Sequence, residues 1–385
     1  MRSPKAPSRT KRTRMALPWR RGEDRNGSRQ GPRPAALHSV ALGAGCAPRQ
    51  GGKRGFLQCG ILPGDTMLTL FADIAPDLAA VEEIMSRQLR SNEPRVAELV
   101  RDLGEFHGKM LRPSLLLLTA RALGGIQPGH QQLAAALELI HTATLIHDDM
   151  IDGGEVRRGI PTPHVRFGTS TAILLGDFFY TRAFDLVADL GDPWMTKTIT
   201  TTTNVVCEGE LLQMVAQRDA GLSRAEYDRI IYAKTAALTE AACRLGASSG
   251  GEAVRDAAAA YGRACGIAFQ IVDDCLDLVG DPQKVGKSLT SDIERGRLTL
   301  PFLLLLEQAP VDQRPALAET FLGARSPQAV AAVQRMVVDG GGVALAMDEA
   351  RLQVSEARRH LAGLPAGPRR DQLDELAAFI VARDF

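Results

Sequence analysis

From Met67 onward, apolar residues recur three and four positions apart, the spacing that stripes one face of a helix. Ile74, Ala75, Pro76 and Asp77 open the first such run, over 78–89. In SLLLLTARALGG, Pro113 sits in the first turn and Gly124-Gly125 close the run, a helix start and a helix stop. The same period predicts helices over about 131–152, 169–190, 194–217, 223–248, 252–280, 298–308, 326–338, 342–361 and 368–383. The stretch 198–206, ITTTT at its centre, is mostly β-branched and locally strand-like. It runs unbroken into CEGELLQMVAQ, which has helical period, so it is read as helix against its propensity. No alternating apolar/polar segment with hairpin turns occurs, and no repeat of 20–50 residues. The pattern predicts a single all-α domain over 67–385, larger than a simple four-helix bundle.

Composition separates the ends of the chain. Of 46 Lys/Arg and 45 Asp/Glu, residues 1–66 hold 14 basic and 3 acidic, a net of +11, and the body therefore carries −10. An acidic body argues against nucleic acid as a partner. Residues 1–66 are rich in Arg, Pro, Gly and Ser without apolar period, a composition that favours disorder. Three explanations fit this basic extension: an addition upstream of a true start at Met67, an organellar targeting peptide, or an arm that touches anionic lipid or RNA. The first leaves the protein cytoplasmic, and the second would import it into an organelle. No run of about 18 apolar residues is present, so membrane contact is expected to be peripheral at most. Cys46, Cys59, Cys207, Cys243, Cys265 and Cys275 show no CxxC and no paired spacing, which fits structural thiols in a reducing compartment.

Candidate chemistry concentrates in two aspartate clusters. Asp148, Asp149 and Asp152 end the apolar run LELIHTATLIHDDMID, and Asp273, Asp274 and Asp277 lie near the end of GIAFQIVDDCLDLVG. At about 3.6 residues per turn, the first and last Asp of each cluster stack on one face. Such carboxylates repel one another unless a cation neutralises them, and oxygen ligands without His or Cys suit Mg2+ that bridges to phosphate. Basic residues flank both clusters. Lys109 and Arg112 lie at a loop-to-helix junction, Arg157 and Arg158 follow the first cluster, Lys234-Thr235 interrupts an apolar helix, and Lys287 follows the second cluster. Together they point to two anionic head groups, one on metal and one held by Lys/Arg alone.

The segments GKMLRP (108–113), ELIHTATLIHDDMIDGGEVRRG (138–159), GDFFYTRAF (176–184), EGELLQ (208–213), AKTAAL (233–238), AFQIVDDCLD (268–277) and GKSLTSDIERGRLTLP (286–301) resemble, in order, the trans-isoprenyl diphosphate synthases, the head-to-tail polyprenyl synthetase family. The resemblance implies a bundle of long antiparallel helices around a deep apolar cavity, usually in a homodimer. It implies that Asp148, Asp149, Asp152, Asp273, Asp274 and Asp277 bind Mg2+, about three ions per site. Lys109, Arg112, His141 and Arg158 would hold isopentenyl diphosphate. Arg157, Lys234 and Lys287 would contact the allylic diphosphate, and Thr235 and Gln270 would turn dipoles toward the allylic cation. The family's Gly-Lys-Pro-Thr reads Gly296-Arg297-Leu298-Thr299 here, so a planar guanidinium replaces a point charge at a further substrate-binding position, Arg297.

Product length is expected to depend on Ala143 and Thr144, roughly 6–8 Å below Asp148 at about 1.5 Å per residue. Both are small where short-chain members place an aromatic ring, which implies a long product of about C30–C50 for a quinone side chain. Closure of the floor by Phe178 or Phe179 is the alternative, and would give a farnesyl- or geranylgeranyl-length product. A non-catalytic partner subunit would be expected to lose Asp clusters, and a terpene cyclase to alter the second one; this chain does neither.

Overall fold

The computed structural model describes residues 71–103, 110–157, 159–280 and 289–382, all within the unit Gly55–Phe385. The basic extension, Lys109, Arg158 and Lys287 lie outside the described residues. The architecture is all-α, apart from a two-stranded hairpin. In chain order the helices are α1 (Ala75–Gln88), α2 (Pro94–Leu103), α3 (Leu111–Ala122), α4 (Pro128–Ile151), α5 (Pro163–Phe167), α6 (Thr169–Ala188), α7 (Pro193–Ala216) and α8 (Arg224–Ile231). Next come a π segment (Tyr232–Ala236), α9 (Ala237–Gly246), α10 (Glu252–Val279), α11 (Ser291–Arg295), α12 (Leu300–Gln308), α13 (Arg314–Gly323), α14 (Pro327–Asp339), α15 (Gly342–Leu361) and α16 (Pro368–Val381).

Local chemistry accounts for many of the boundaries. Pro94, Pro128, Pro163, Pro193, Pro327 and Pro368 each open a helix, where a missing N–H costs nothing. The Asp192 carboxylate accepts from the backbone of Trp194 (2.8 Å) and Met195 (3.1 Å), and Ser223 with Glu226 forms a capping box on α8. The β-branched stretch does lie in α7. The hydroxyls of Thr198, Thr200 and Thr203 donate to carbonyls four residues back, and Ile199 and Val206 are buried, so packing overrides propensity.

Five features were not expected from the pattern. Helices α5, α11 and α13 are short, with little or no apolar stripe of their own, whereas α2 carries one in Val96, Leu99, Val100 and Leu103 that the reading passed over. The fifth is the hairpin, which pairs Val156 with Pro161 and Arg157 with Ile160, too short for an alternating signature.

Two apolar cores meet on α10. Its first half packs against α9, α15 and α16 and joins a core that α1, α3, α4 and α6 complete around Leu116, Leu137, Ile140, Phe179 and Tyr261, whose hydroxyl donates to the Leu373 carbonyl at 2.7 Å. The second half carries Ile271, Val272 and Cys275 against Phe302, Phe321, Val337 and Ala346 of α12–α15. The Asp273–Asp277 end of α10 lies in the second core, where Cys275 and Leu278 are buried.

Candidate active site

The first cluster closes α4. Asp149 is buried and accepts two hydrogen bonds of 2.7 Å from Arg157, which the small hairpin swings back over the helix end. Asp148 and Asp152 are only partly buried and lie one turn apart, as their spacing required. Asp148 stands 3.2 Å from the ammonium of Lys234. Asp152 is paired with Arg297 and lies 3.8 Å from Arg295, both arriving from the segment around α11. Burial pushes the Asp148 carboxyl above its ordinary range, against the pull of Lys234, and the charge of Asp152 adds to the rise. Burial also works to raise Asp152, but Arg297, Arg295 and Lys234 outweigh it and hold this carboxyl below its ordinary value.

Lys234 and Thr235 stand in the π segment, where one extra residue per turn aims neighbouring side chains at different targets. Lys234 also donates to Glu210 Oε2 and Gln213 Oε1, each at 2.8 Å. Thr235 donates to Gln270 Oε1 at 2.7 Å, and the amide nitrogen of Gln270 donates to Asp274 at 2.8 Å. Two glycines permit this convergence. A Cβ on Gly209 of α7 would stand 2.7 Å from the Ala233 Cβ, and one on Gly266 of α10 would stand 2.6 Å from the Ala236 Cα. Both helices therefore approach the π segment more closely than any larger residue would allow.

The second cluster is committed more deeply. Asp274 accepts from Tyr227 at 2.7 Å on one oxygen and from Gln270 on the other. Burial and the charge of Asp292 push its carboxyl up to about 8. Asp277 is buried, accepting from Ser291 Oγ at 2.7 Å and from the backbone of Asp292 at 3.1 Å, and so anchors the start of α11. Asp273 is the partly exposed member, and Arg112 lies within range of its charge and of Glu138. Arg112 opens α3 with its Nε shielded and without an acceptor among the described residues. His141 lies partly exposed on the Asp148 face of α4. His147 contacts the Ile173 carbonyl at 3.0 Å, a contact that ties α4 to α6. Thr144 is partly exposed, Ala143 wholly buried.

Sequence reasoning missed Glu210, Gln213, Tyr227, Asp292 and Arg295 as site members, while Arg297, which it did name, meets Asp152. EGELLQ was visible as a motif, and its Glu–Gln spacing of three residues marks one helix face, but nothing local tied it to Lys234. Burial and the charge of Asp148 push the Glu210 carboxyl up to about 7, and its Oε1 is buried without a donor among the described residues.

Among the described residues, no three His, Cys, Asp or Glu side chains are gathered closely enough to hold a metal as they are arranged. Lys234 and Arg297 take up oxygens of Asp148 and Asp152 that a cation would take. The donor set still fits a hard divalent cation. It is all oxygen, and Asp148, Glu210 and Asp274 are raised in ways that an added positive charge would relieve.

The polyprenyl synthetase family profile matches residues 93–339. The chain is 35% identical over 312 residues to the octaprenyl diphosphate synthase of Haemophilus influenzae, covering 80% of this chain and 95% of that one. It is 39% identical over 283 residues to a short chain isoprenyl diphosphate synthase of Methanothermobacter thermautotrophicus, covering 72% and 87%. Among solved structures, a polyprenyl synthase from Caulobacter crescentus CB15, complexed with calcium and isoprenyl diphosphate, superposes with a TM-score of 0.76. That pair is 34% identical, and the match covers 82% of this chain and 97% of that one.

Proposed function

Because the chain belongs to the polyprenyl synthetase family, and is a prenyltransferase that makes trans-prenyl diphosphates, we propose that it condenses isopentenyl diphosphate with an allylic diphosphate to a long product of about C30–C50. A quinone side chain is the use that fits such a product. The observation that carries the reading is at the π segment. Of two consecutive residues, Lys234 pairs with Asp148 of the first aspartate cluster and Thr235 is linked through Gln270 to Asp274 of the second, which supports a single reaction centre between them.

Mg2+ would be held by Asp148, Asp152 and Asp273, with Asp149, Asp274 and Asp277 fixing the helix ends behind them, and would withdraw charge from the allylic diphosphate so that its C–O bond ionises. Lys234, Arg157 and Arg297 then face the departing diphosphate as fixed cations. The Thr235 proton is committed to Gln270, so the lone pairs of its oxygen remain for the allylic cation. Arg112 and His141 hold isopentenyl diphosphate, whose double bond attacks that cation. The proton lost from its C2 passes to the released diphosphate, and no protein nucleophile is needed. The helices contribute position and exclusion of water.

Small side chains at 143 and 144 support the long product, as does the octaprenyl relative. Exposed Ile173 and Leu174 on α6, with Leu211, Leu212, Met214 and Val215 on the neighbouring α7, support a homodimer. No single helix among the described residues is long and apolar enough to cross a membrane. The test is chromatography of dephosphorylated products from the purified full chain with primer, labelled isopentenyl diphosphate and Mg2+. A ladder ending at about C30–C50 is expected, shortened to roughly C15–C20 by Ala143→Phe or Thr144→Phe, whose ring sits about one turn below Asp148. Wild-type arrest at C15 or C20 would contradict the long-product reading. Full turnover in EDTA, or in Asp148→Ala, would contradict the metal site.

A further inference from the structure

An ammonium has three N–H donors, and Lys234 has three acceptors in reach. Glu210 Oε2 and Gln213 Oε1 each lie at 2.8 Å, and Asp148 Oδ2 at 3.2 Å. The two nearer acceptors belong to one helix face of α7, at i and i+3, and Gly209 sets that face against the backbone of the π segment. Two partly buried carboxylates thus share a single lysine charge, and Glu210 Oε1 has no donor among the described residues. A carboxylate oxygen left without a donor in this way costs stability.

We infer that Glu210, with Gln213, is a positioning residue for Lys234: it holds the ammonium from the α7 side, so that Asp148 can be released to metal while the lysine stays aimed at the allylic diphosphate. The longest of the three contacts is the one given up. Without the Glu210 charge, Lys234 leans on Asp148 and competes with the cation for it. The inference rests on the reading of Lys234 as an allylic diphosphate contact.

The experiment is a double-mutant cycle on the full chain with wild type, Glu210→Gln, Lys234→Met and the double variant, each checked by circular dichroism. Mg2+ binding to metal-free protein is measured by titration calorimetry, and KM separately for the allylic primer and for isopentenyl diphosphate. Glu210→Gln is expected to weaken Mg2+ binding about tenfold, the scale of an outer-layer partner. It should raise the allylic KM by about tenfold and leave that for isopentenyl diphosphate within about twofold. In the Lys234→Met background the same change should move either quantity less than about twofold. Glu210→Asp keeps the charge but not the reach, and should show most of the loss; it also decides the matter if the Gln variant fails to fold. Equal effects of Glu210→Gln in both backgrounds, or a silent Glu210→Asp, would overturn the inference, because Glu210 would then act by its charge alone. An unchanged allylic KM in Lys234→Met would instead remove the underlying reading of Lys234.

Discussion

Gly209→Ala adds one methyl group where α7 meets the π segment. The new Cβ would stand 2.7 Å from the Ala233 Cβ and 2.8 Å from the Lys234 backbone nitrogen. Ordinary contact between carbons is about 3.5–4.0 Å, so α7 and the π segment must part by roughly 0.8 Å. Overpacking of this kind costs about 1–3 kcal/mol, and Ala in place of Gly inside a helix returns about 1 kcal/mol. The net loss of about 0–2 kcal/mol moves the melting temperature by a few degrees at most. Catalysis is the sensitive quantity. The same displacement stretches the 2.8 Å contacts from Lys234 to Glu210 and Gln213 to about 3.6 Å, beyond hydrogen-bond range. A misplacement near 1 Å lowers rates by up to about 100-fold, so kcat is expected to fall about 10- to 100-fold while the protein remains folded. Steady-state kinetics beside thermal melts check this. Gly323→Ala is the matched control, since nothing lies within 4 Å of its added Cβ. A Gly209→Ala enzyme with wild-type kcat would show that the close approach does not place Lys234 and Thr235.

Tyr227→Phe removes the 2.7 Å donor to Asp274 and is expected to cost about 1.5–3 kcal/mol of stability. It should also lower kcat about tenfold through a loosened Gln270, with both KM values nearly unchanged; a wild-type kcat would separate Tyr227 from the Gln270–Thr235 relay. The metal-free protein should lose stability with rising pH. Asp274 and Glu210, pushed up to about 8 and about 7 when folded, hold their protons more tightly than unfolded carboxylates. Their contribution is therefore full below about pH 4 and lost as pH rises through about 7 and 8. Mg2+ should accordingly raise the melting temperature more at about pH 8.5 than at about pH 6, and equal shifts in fluorimetric melts would refute the assignment.

The chain alone determined the all-α class, because a helical period of apolar residues is a local property and persists over whole segments. It also determined that Asp148 and Asp152 share a face, since four residues make about one turn. The helical state of the threonine run in α7 was legible only from its continuity with the following period. Tertiary structure decided the rest. That Asp149 belongs to Arg157 follows from a hairpin too short to carry a pattern. That Asp277 anchors α11, and that Asp152 meets Arg297 across 145 residues of chain, follows from how α4, α10 and α11 pack.

The π segment is the sharpest case. Its sequence, YAKTA, marks Lys234 and Thr235 as polar in an apolar helix but does not announce a π turn, and α7 and α10 approach it closely at Gly209 and Gly266. Spacing along a chain sets the direction in which a side chain leaves its own helix. Which partner it meets depends on the distance between helix axes, and residues far apart in sequence set that distance.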